Sequence, residues 1–129
     1  MGIKDLININ VISSMFIFLI GGFDNIFITL LIFIALDYIT GIIKAVYQKK
    51  LNSKLGLKGF LKKLGYILIV MVASLFDSLI GDKTMAIRTL CIYFFISNEA
   101  ISILENWAIM GLPLPKKIFQ VFESLKEDK

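Results

Sequence analysis

The stretch Asn25–Tyr47, NIFITLLIFIALDYITGIIKAVY, decides the fold. It is long enough to cross the hydrocarbon core of a bilayer, which takes about 20 mainly apolar residues of α-helix. Asp37 and Lys44 are the only charged side chains in it. A charge at the bilayer centre costs about 2.5–3.5 kcal/mol on insertion scales, so each needs a partner, water or a proton. The stretch therefore predicts a transmembrane helix with one polar face.

Three further apolar segments surround this stretch. The segments 64–81 and 85–112 are long enough to span and, with 24–47, are predicted as the three core transmembrane helices. The segment 6–23 is uncharged in its first eighteen positions but carries Asn and Ser residues and ends near Gly21-Gly22. Three interpretations of it stay open: an amphipathic or re-entrant helix at the interface, a fourth span, or a cleaved signal peptide.

The composition of the whole chain supports an integral membrane protein. The 129 residues are 57% hydrophobic and 19% charged, and the mean hydropathy is +0.82. Soluble domains are about 45–50% apolar and about 25% charged, and so small a domain has too little interior for this much apolar surface. The composition excludes a disordered chain for the same reason. We predict one all-α membrane domain over 1–129.

The titratable residues argue against an enzyme. The chain has no histidine, which removes the Ser-His-Asp and Cys-His arrangements and the commonest metal ligand. Cys91 is the single cysteine and lies in an apolar run, where a thiol usually packs as a small hydrophobe. The glycines fit neither of the phosphate-binding spacings. We therefore expect no catalytic residues, no metal and no cofactor.

The distribution of lysines predicts the orientation. Short loops rich in Lys and Arg stay in the cytoplasm. The predicted loop 48–63 holds basic residues and no acid, whereas the turn 81–84 is balanced in charge. We assign six lysines to topology and to contact with the membrane surface: Lys49, Lys50, Lys54, Lys58, Lys62 and Lys63. Binding of nucleic acid is the rival interpretation of these lysines, and we do not expect it.

The C-terminal tail, 116–129, is also predicted to be cytoplasmic. It holds Lys116, Lys117, Lys126 and Lys129. Pro113 and Pro115 end the last span before a short amphipathic helix whose apolar residues follow helical spacing. Those residues are Ile118, Phe119, Val121, Phe122 and Leu125.

Two predicted spans carry polar faces that we take as the candidate functional surface. In the first core span the residues follow Asp37 at helical spacing, and Gly41 and Ala45 would admit a close neighbour. In the last span a similar stripe lies opposite an apolar face. The predicted self-association or lumen-facing residues are Asp37, Thr40, Gly41, Lys44, Asn98, Glu99, Ser102, Glu105 and Asn106.

These polar groups allow several interpretations. They could satisfy one another in a static bundle, with Lys44 paired to Glu99 or Glu105, and Asp77 paired to Arg88 across the outer turn. They could instead be packed away at first and line water later. An ion channel or an ion-coupled transporter is a further alternative, although no inverted repeat or broken-helix pair is evident. A small scaffold subunit that forms no pore is the competing class.

Four motifs in order resemble the toxin secretion/phage lysis holin family. They are Asp37-Tyr38-Ile39-Thr40-Gly41 with Lys44-Ala45, the basic stretch 53–63, the run 98–106, and Gly111-Leu112-Pro113-Leu114-Pro115. The resemblance covers about residues 24–117 and leaves the N-terminal segment open.

The resemblance implies a holin of the bacterial cytoplasmic membrane. Such proteins accumulate harmlessly and then form lesions that release a phage endolysin or, in toxin-associated members, a large toxin. The implied partners are the lipid bilayer and further copies of the chain, while the passenger needs no specific binding site. A second translation start at Met15 is a further expectation, motivated only by its position.

Overall fold

The computed structural model describes residues 1–127, without the side chains at positions 119, 122, 123 and 125–127. It contains five helices, and the described residues include no strand. The helices are α1 Ile3–Ile20, α2 Asn25–Tyr47, α3 Ser53–Leu79, α4 Ala86–Ile109 and α5 Lys116–Glu127. The first four are long and apolar enough to cross a membrane. This confirms the predicted all-α membrane fold, with α1 as the fourth membrane helix.

The helix α4 is the centre of the bundle. Both α2 and α3 pack against it, while α1 packs against α3. The apolar core lies between these helices and consists of Ile20, Phe27, Leu30, Val70, Ile92 and Phe95. Tyr66 of α3 stacks on Phe95 of α4 with ring centroids 4.3 Å apart.

The helix α1 is held differently from the others. Its residues up to Phe18 are exposed, and Ile20 is its only buried residue. It ends at Gly21, which has φ 83°, a left-handed conformation that glycine adopts at little cost. A Cβ at Gly21 would lie 2.5 Å from Ser74 Oγ and 2.7 Å from Arg88 Cδ. Glycine is therefore needed at this position both for the turn and for the close approach of α3 and α4.

The largest departure from the sequence prediction is the start of α3. This helix begins at Ser53, capped by the Asn52 side chain, which accepts a hydrogen bond from Lys54 N at 2.9 Å. Most of the predicted loop 48–63 is therefore helix, and only the segment 48–52 connects α2 to α3. Lys54, Lys58 and Lys62 lie exposed on the first turns of α3. Lysine has a good helix propensity, and its long stem keeps the ammonium in water beside an apolar helix.

The C-terminal region follows its prediction in outline. The span ends at Ile109, before Pro113, and Trp107 Nε1 donates a hydrogen bond to Pro113 O at 3.2 Å. The tail helix α5 begins at Lys116. Ile118 and Val121 are exposed on it. The side chains of Phe119, Phe122, Leu125 and Lys126, and Lys129 as a whole, lie outside the described residues.

Candidate functional site

A cluster of three charged side chains joins α2, α3 and α4 near mid-length. Lys63 Nζ donates to Asp37 Oδ2 at 2.6 Å and to Glu99 Oε2 at 2.5 Å. The Glu99 side chain is 2% exposed, and those of Asp37 and Lys63 are 10% and 14% exposed. One ammonium facing two carboxylates leaves one negative charge in excess when both acids are ionised. We call these three residues the inner cluster.

The three members of the inner cluster lie at one depth. Ten positions separate Asp37 from Tyr47, Ser53 from Lys63, and Glu99 from Ile109, the helix ends on the side of the α2–α3 connection. At 1.5 Å per residue this is about 15 Å from each helix end, close to half of a hydrocarbon core of about 30 Å. The cluster is therefore as far from water as the length of the bundle permits.

Neutral polar groups complete the coordination of Asp37. Asn106 Nδ2 donates to Asp37 Oδ1 at 3.1 Å and to Thr40 Oγ1 at 3.0 Å. Thr40 Oγ1 in turn donates to the Asp37 carbonyl at 3.1 Å. No buried side-chain nitrogen or oxygen among the described residues lacks a hydrogen-bond partner. Full satisfaction lets such a network persist in a low-dielectric interior.

The structure brings together five of the nine residues predicted for the polar surface. Asp37, Thr40, Glu99 and Asn106 belong to the network just described, and Gly41 lies against Asn106, with a Cβ there 3.7 Å from its Nδ2. Lys44, Asn98 and Ser102 are half-buried, and Glu105 is exposed. Whether these residues mediate self-association or line a lumen stays a prediction.

The sequence analysis missed the cation of the cluster. It paired Glu99 with Lys44 and assigned Lys63 to a surface loop, whereas Lys63 is the side chain bound to Glu99. A signal was available, because Lys63, Tyr66, Val70, Ser74 and Asp77 recur at helical spacing and form the inward face of α3. Counting Lys63 with its neighbours as one basic run concealed this periodicity.

A second cluster lies at the opposite end of the bundle. The Arg88 guanidinium, 1% exposed, binds both carboxylate oxygens of Asp24, with Nη1 at 2.8 Å and Nη2 at 3.0 Å. Arg88 Nε donates to Ile20 O at 2.5 Å and Nη2 to Gly22 O at 2.9 Å. One side chain of α4 thus holds the α1–α2 connection. We call Arg88, Asp24 and Asp77 the outer cluster.

The predicted pair of Asp77 and Arg88 side chains is wrong in its partners. Asp77 instead accepts from the backbone N–H groups of Ile87 and Arg88, at 3.1 and 2.8 Å. These donors open α4, where a carboxylate satisfies unpaired N–H groups and complements the helix dipole. Hydrogen bonds from Arg88 hold the pKa of the Asp24 carboxyl below its ordinary value. Asp82, in the adjoining turn, also has a lowered pKa because the Thr84 hydroxyl donates to it.

The described residues contain no group of three His, Cys, Asp or Glu side chains that could hold a metal ion. The site consists of charges and amides packed between apolar helices. Such an arrangement can hold helices together at a fixed register, or exchange its hydrogen bonds for others when the helices move apart. These are properties of a small multi-pass membrane protein built around buried polar contacts.

Similarity to known proteins identifies the family. The model of the bacteriophage holin family matches residues 14–127, so the chain belongs to that family. This confirms the resemblance seen in the sequence. It is not an enzyme family.

The relatives have no established activity of their own. The chain is 43% identical over 118 residues to a Clostridium perfringens protein named "Uncharacterized 14.9 kDa protein in nagH 3'region", covering 92% of this chain and 89% of that one. It is 30% identical over 125 residues to YtkC of Bacillus subtilis, covering 97% and 91%. No solved structure matches.

Proposed function

We propose that this protein is a holin that oligomerises in the bacterial cytoplasmic membrane and forms lesions through which a phage endolysin or a large toxin leaves the cell. Membership of the bacteriophage holin family carries this proposal. The passenger passes through the lesion without a specific binding site on the chain. No enzymatic activity, cofactor or nucleic-acid partner is proposed.

The inner cluster supports a harmless accumulation phase. Within a single chain, Asp37, Lys63 and Glu99 satisfy one another, so α2, α3 and α4 present few charges to lipid. A charge facing lipid at this depth would cost about 2.5–3.5 kcal/mol on insertion scales. A chain that covers its own charges can therefore remain dispersed until its surface density is high.

The border of the polar face supports assembly between copies. Asn98 and Ser102 are half-buried and Glu105 is exposed on α4. Polar contacts between transmembrane helices contribute about 0.6 kcal/mol each on average, so several are needed to hold an assembly. We infer that neighbouring copies meet along this border, and that a ring of copies turns the polar face toward water.

The lysines support a cytoplasmic position for both termini. Four spans place the two ends of the chain on one side, and the basic residues around the α2–α3 connection and in the tail favour the cytoplasm. The lysines of α3, especially Lys58 and Lys62, lie where they would contact anionic headgroups. Neutral variants at these two positions should alter orientation or lesion timing.

The experiment is induced expression in a bacterial host with simultaneous recording of membrane potential and release of a cytosolic protein reporter. A delayed, abrupt collapse with release of the reporter is the result expected of a holin. Collapse without release would mean an ion-conducting pore, and no collapse, with the protein confirmed in the membrane, would favour a scaffold that forms no pore.

A variant pair tests the assembly surface in the same assay. Glu105→Leu removes an exposed polar group at the border, and we expect it to shift the time of collapse while membrane insertion is unchanged. Asp5→Asn, which also removes one exposed acid but lies at the start of α1, is the matched control. Equal timing in the Glu105→Leu variant and the parent would remove this border from the assembly surface.

A further inference from the structure

A cleft of about 890 Å³ separates α2 from α3 on the side of their connection. Its floor is formed by Asp37, Lys63 and Asn106, and its walls by the last turns of α2 and the first turns of α3. Ligand sites in proteins commonly enclose about 300–1,000 Å³. The cleft thus has the volume of a ligand site and lies at the end of a transmembrane bundle.

Charge varies with depth in this cleft. Lys44 and Lys50 line its mouth, and Lys44 is seven positions, or about 10 Å along the helix, nearer the end of α2 than Asp37. At the floor, Lys63 already holds Asp37 and Glu99. The ion pairs among the described residues belong to Lys63 and Arg88, so neither lysine at the mouth is engaged in one. The mouth is cationic, whereas the charges of the floor are already paired.

The walls of the cleft are apolar and recessed. Ile42, Leu51 and Leu55 line it, and each remains 43% exposed or more. The recess on the α3 side comes from Gly56 and Gly59, and a Cβ at Gly59 would meet nothing within 4 Å. An occupant that complements this surface carries a negative group at the membrane boundary and a hydrocarbon chain pointing inward.

We propose that this cleft binds one anionic phospholipid, with its phosphate between Lys44 and Lys50 and an acyl chain along Ile42 and Leu55. Basic pockets between transmembrane helices favour anionic headgroups over zwitterionic ones, because the lysines repel a headgroup cation. A free anion would leave the apolar walls exposed. The site goes beyond lesion formation, since it is present in the single chain and is measured without a lesion.

The test is native mass spectrometry of the purified full chain, titrated with dioleoylphosphatidylglycerol or dioleoylphosphatidylcholine. We expect one phosphatidylglycerol bound per chain, in preference to phosphatidylcholine. The Lys44→Gln/Lys50→Gln variant should bind it about tenfold to thirtyfold more weakly, the effect of removing two lysines near the headgroup. Lys58→Gln/Lys62→Gln removes the same charge from α3 outside the cleft and should retain binding.

A second variant separates the site from general charge. Gly59→Leu fills the cleft while leaving every lysine in place, and leucine is a better helix former than glycine, so the helix is preserved. We expect it to lose the bound lipid as well. The helical circular dichroism of all variants should match that of the parent.

Four outcomes would overturn the proposal. Equal weakening in the Lys58→Gln/Lys62→Gln control would mean diffuse attraction, and equal binding of phosphatidylcholine would mean an unselective groove. Displacement of the lipid by millimolar inorganic phosphate would assign the cleft to a free anion. A dimer that forms with the exclusion of lipid and is lost in Gly59→Leu would assign it to a second copy.

Discussion

The inner and outer clusters each contain one base and two acids, yet they use these charges differently. In the outer cluster Asp77 faces backbone N–H groups, Asp24 is 47% exposed, and Arg88 also binds two backbone carbonyls. In the inner cluster both acids face one ammonium, and all three groups come from different helices. The outer cluster is fixed by the backbone around it, whereas the inner cluster exists only while three helices stay together.

The largest effect expected from this difference is at Lys63. Lys63→Met would leave Asp37 and Glu99 buried beside each other without a cation, and breaking a buried ion pair in this way costs about 3–5 kcal/mol. The measurement is the midpoint of unfolding of the purified protein in mixed micelles, followed by circular dichroism. The triple variant Lys63→Met, Asp37→Asn, Glu99→Gln should recover most of the loss because no charge is left unpaired.

A control at the adjacent position makes this result specific. Lys62→Met removes the same group from the exposed face of α3 and should leave the midpoint nearly unchanged. If Lys62→Met and Lys63→Met were equally destabilised, the inner cluster would contribute nothing beyond the general loss of a lysine.

A smaller loss is expected at Arg88. Arg88→Gln would remove the donors to Ile20 O and Gly22 O, and an unsatisfied buried acceptor costs about 1–3 kcal/mol. Asp24 is partly exposed, so water can replace the guanidinium there. We expect the α1–α2 connection to become sensitive to added protease before the rest of the chain unfolds. Protection equal to that of the parent would show that Arg88 does not hold this connection.

The smallest effect is the pH dependence of the outer cluster. The pKa of Asp24 is lowered in the folded state by hydrogen bonds from Arg88, so its stabilising contribution is present above the unfolded value of about 3.9 and is lost as the pH falls through the folded value. Because the side chain is 47% exposed, water screens the pair and the change stays below about 1 kcal/mol. The unfolding midpoint of Asp24→Asn, compared with the parent from pH 6 to pH 3, should lack this component. An identical pH profile in the two proteins would contradict the assignment.

The sequence predicted the membrane helices better than their contacts. Hydropathy located all four because each apolar run exceeds the thickness of the hydrocarbon core. It placed the start of α3 too late, because exposed lysines lower hydropathy without ending a helix. The true start is marked by Asn52, a capping residue just before Ser53.

The partners within the clusters needed the tertiary structure. Asp37 and Glu99 were recognised as costly groups that require partners, which follows from their position in apolar runs. Their shared cation could not be chosen from hydropathy, since Lys44 and Lys63 are at similar distances from the ends of their helices. The depth relation among Asp37, Lys63 and Glu99 appears only when the bounds of all three helices are known.

The common depth of the inner cluster has a consequence for synthesis. Chain order delivers Asp37 to the membrane first, Lys63 second and Glu99 last. A nascent α2 therefore carries an acid at mid-depth until α3 supplies the cation, and the last acid joins a pair that is already neutral. Assembly of the newborn protein thus passes through a stage in which α2 and α3 depend on each other, and a ribosome stalled between them would leave a helix that the bilayer retains poorly.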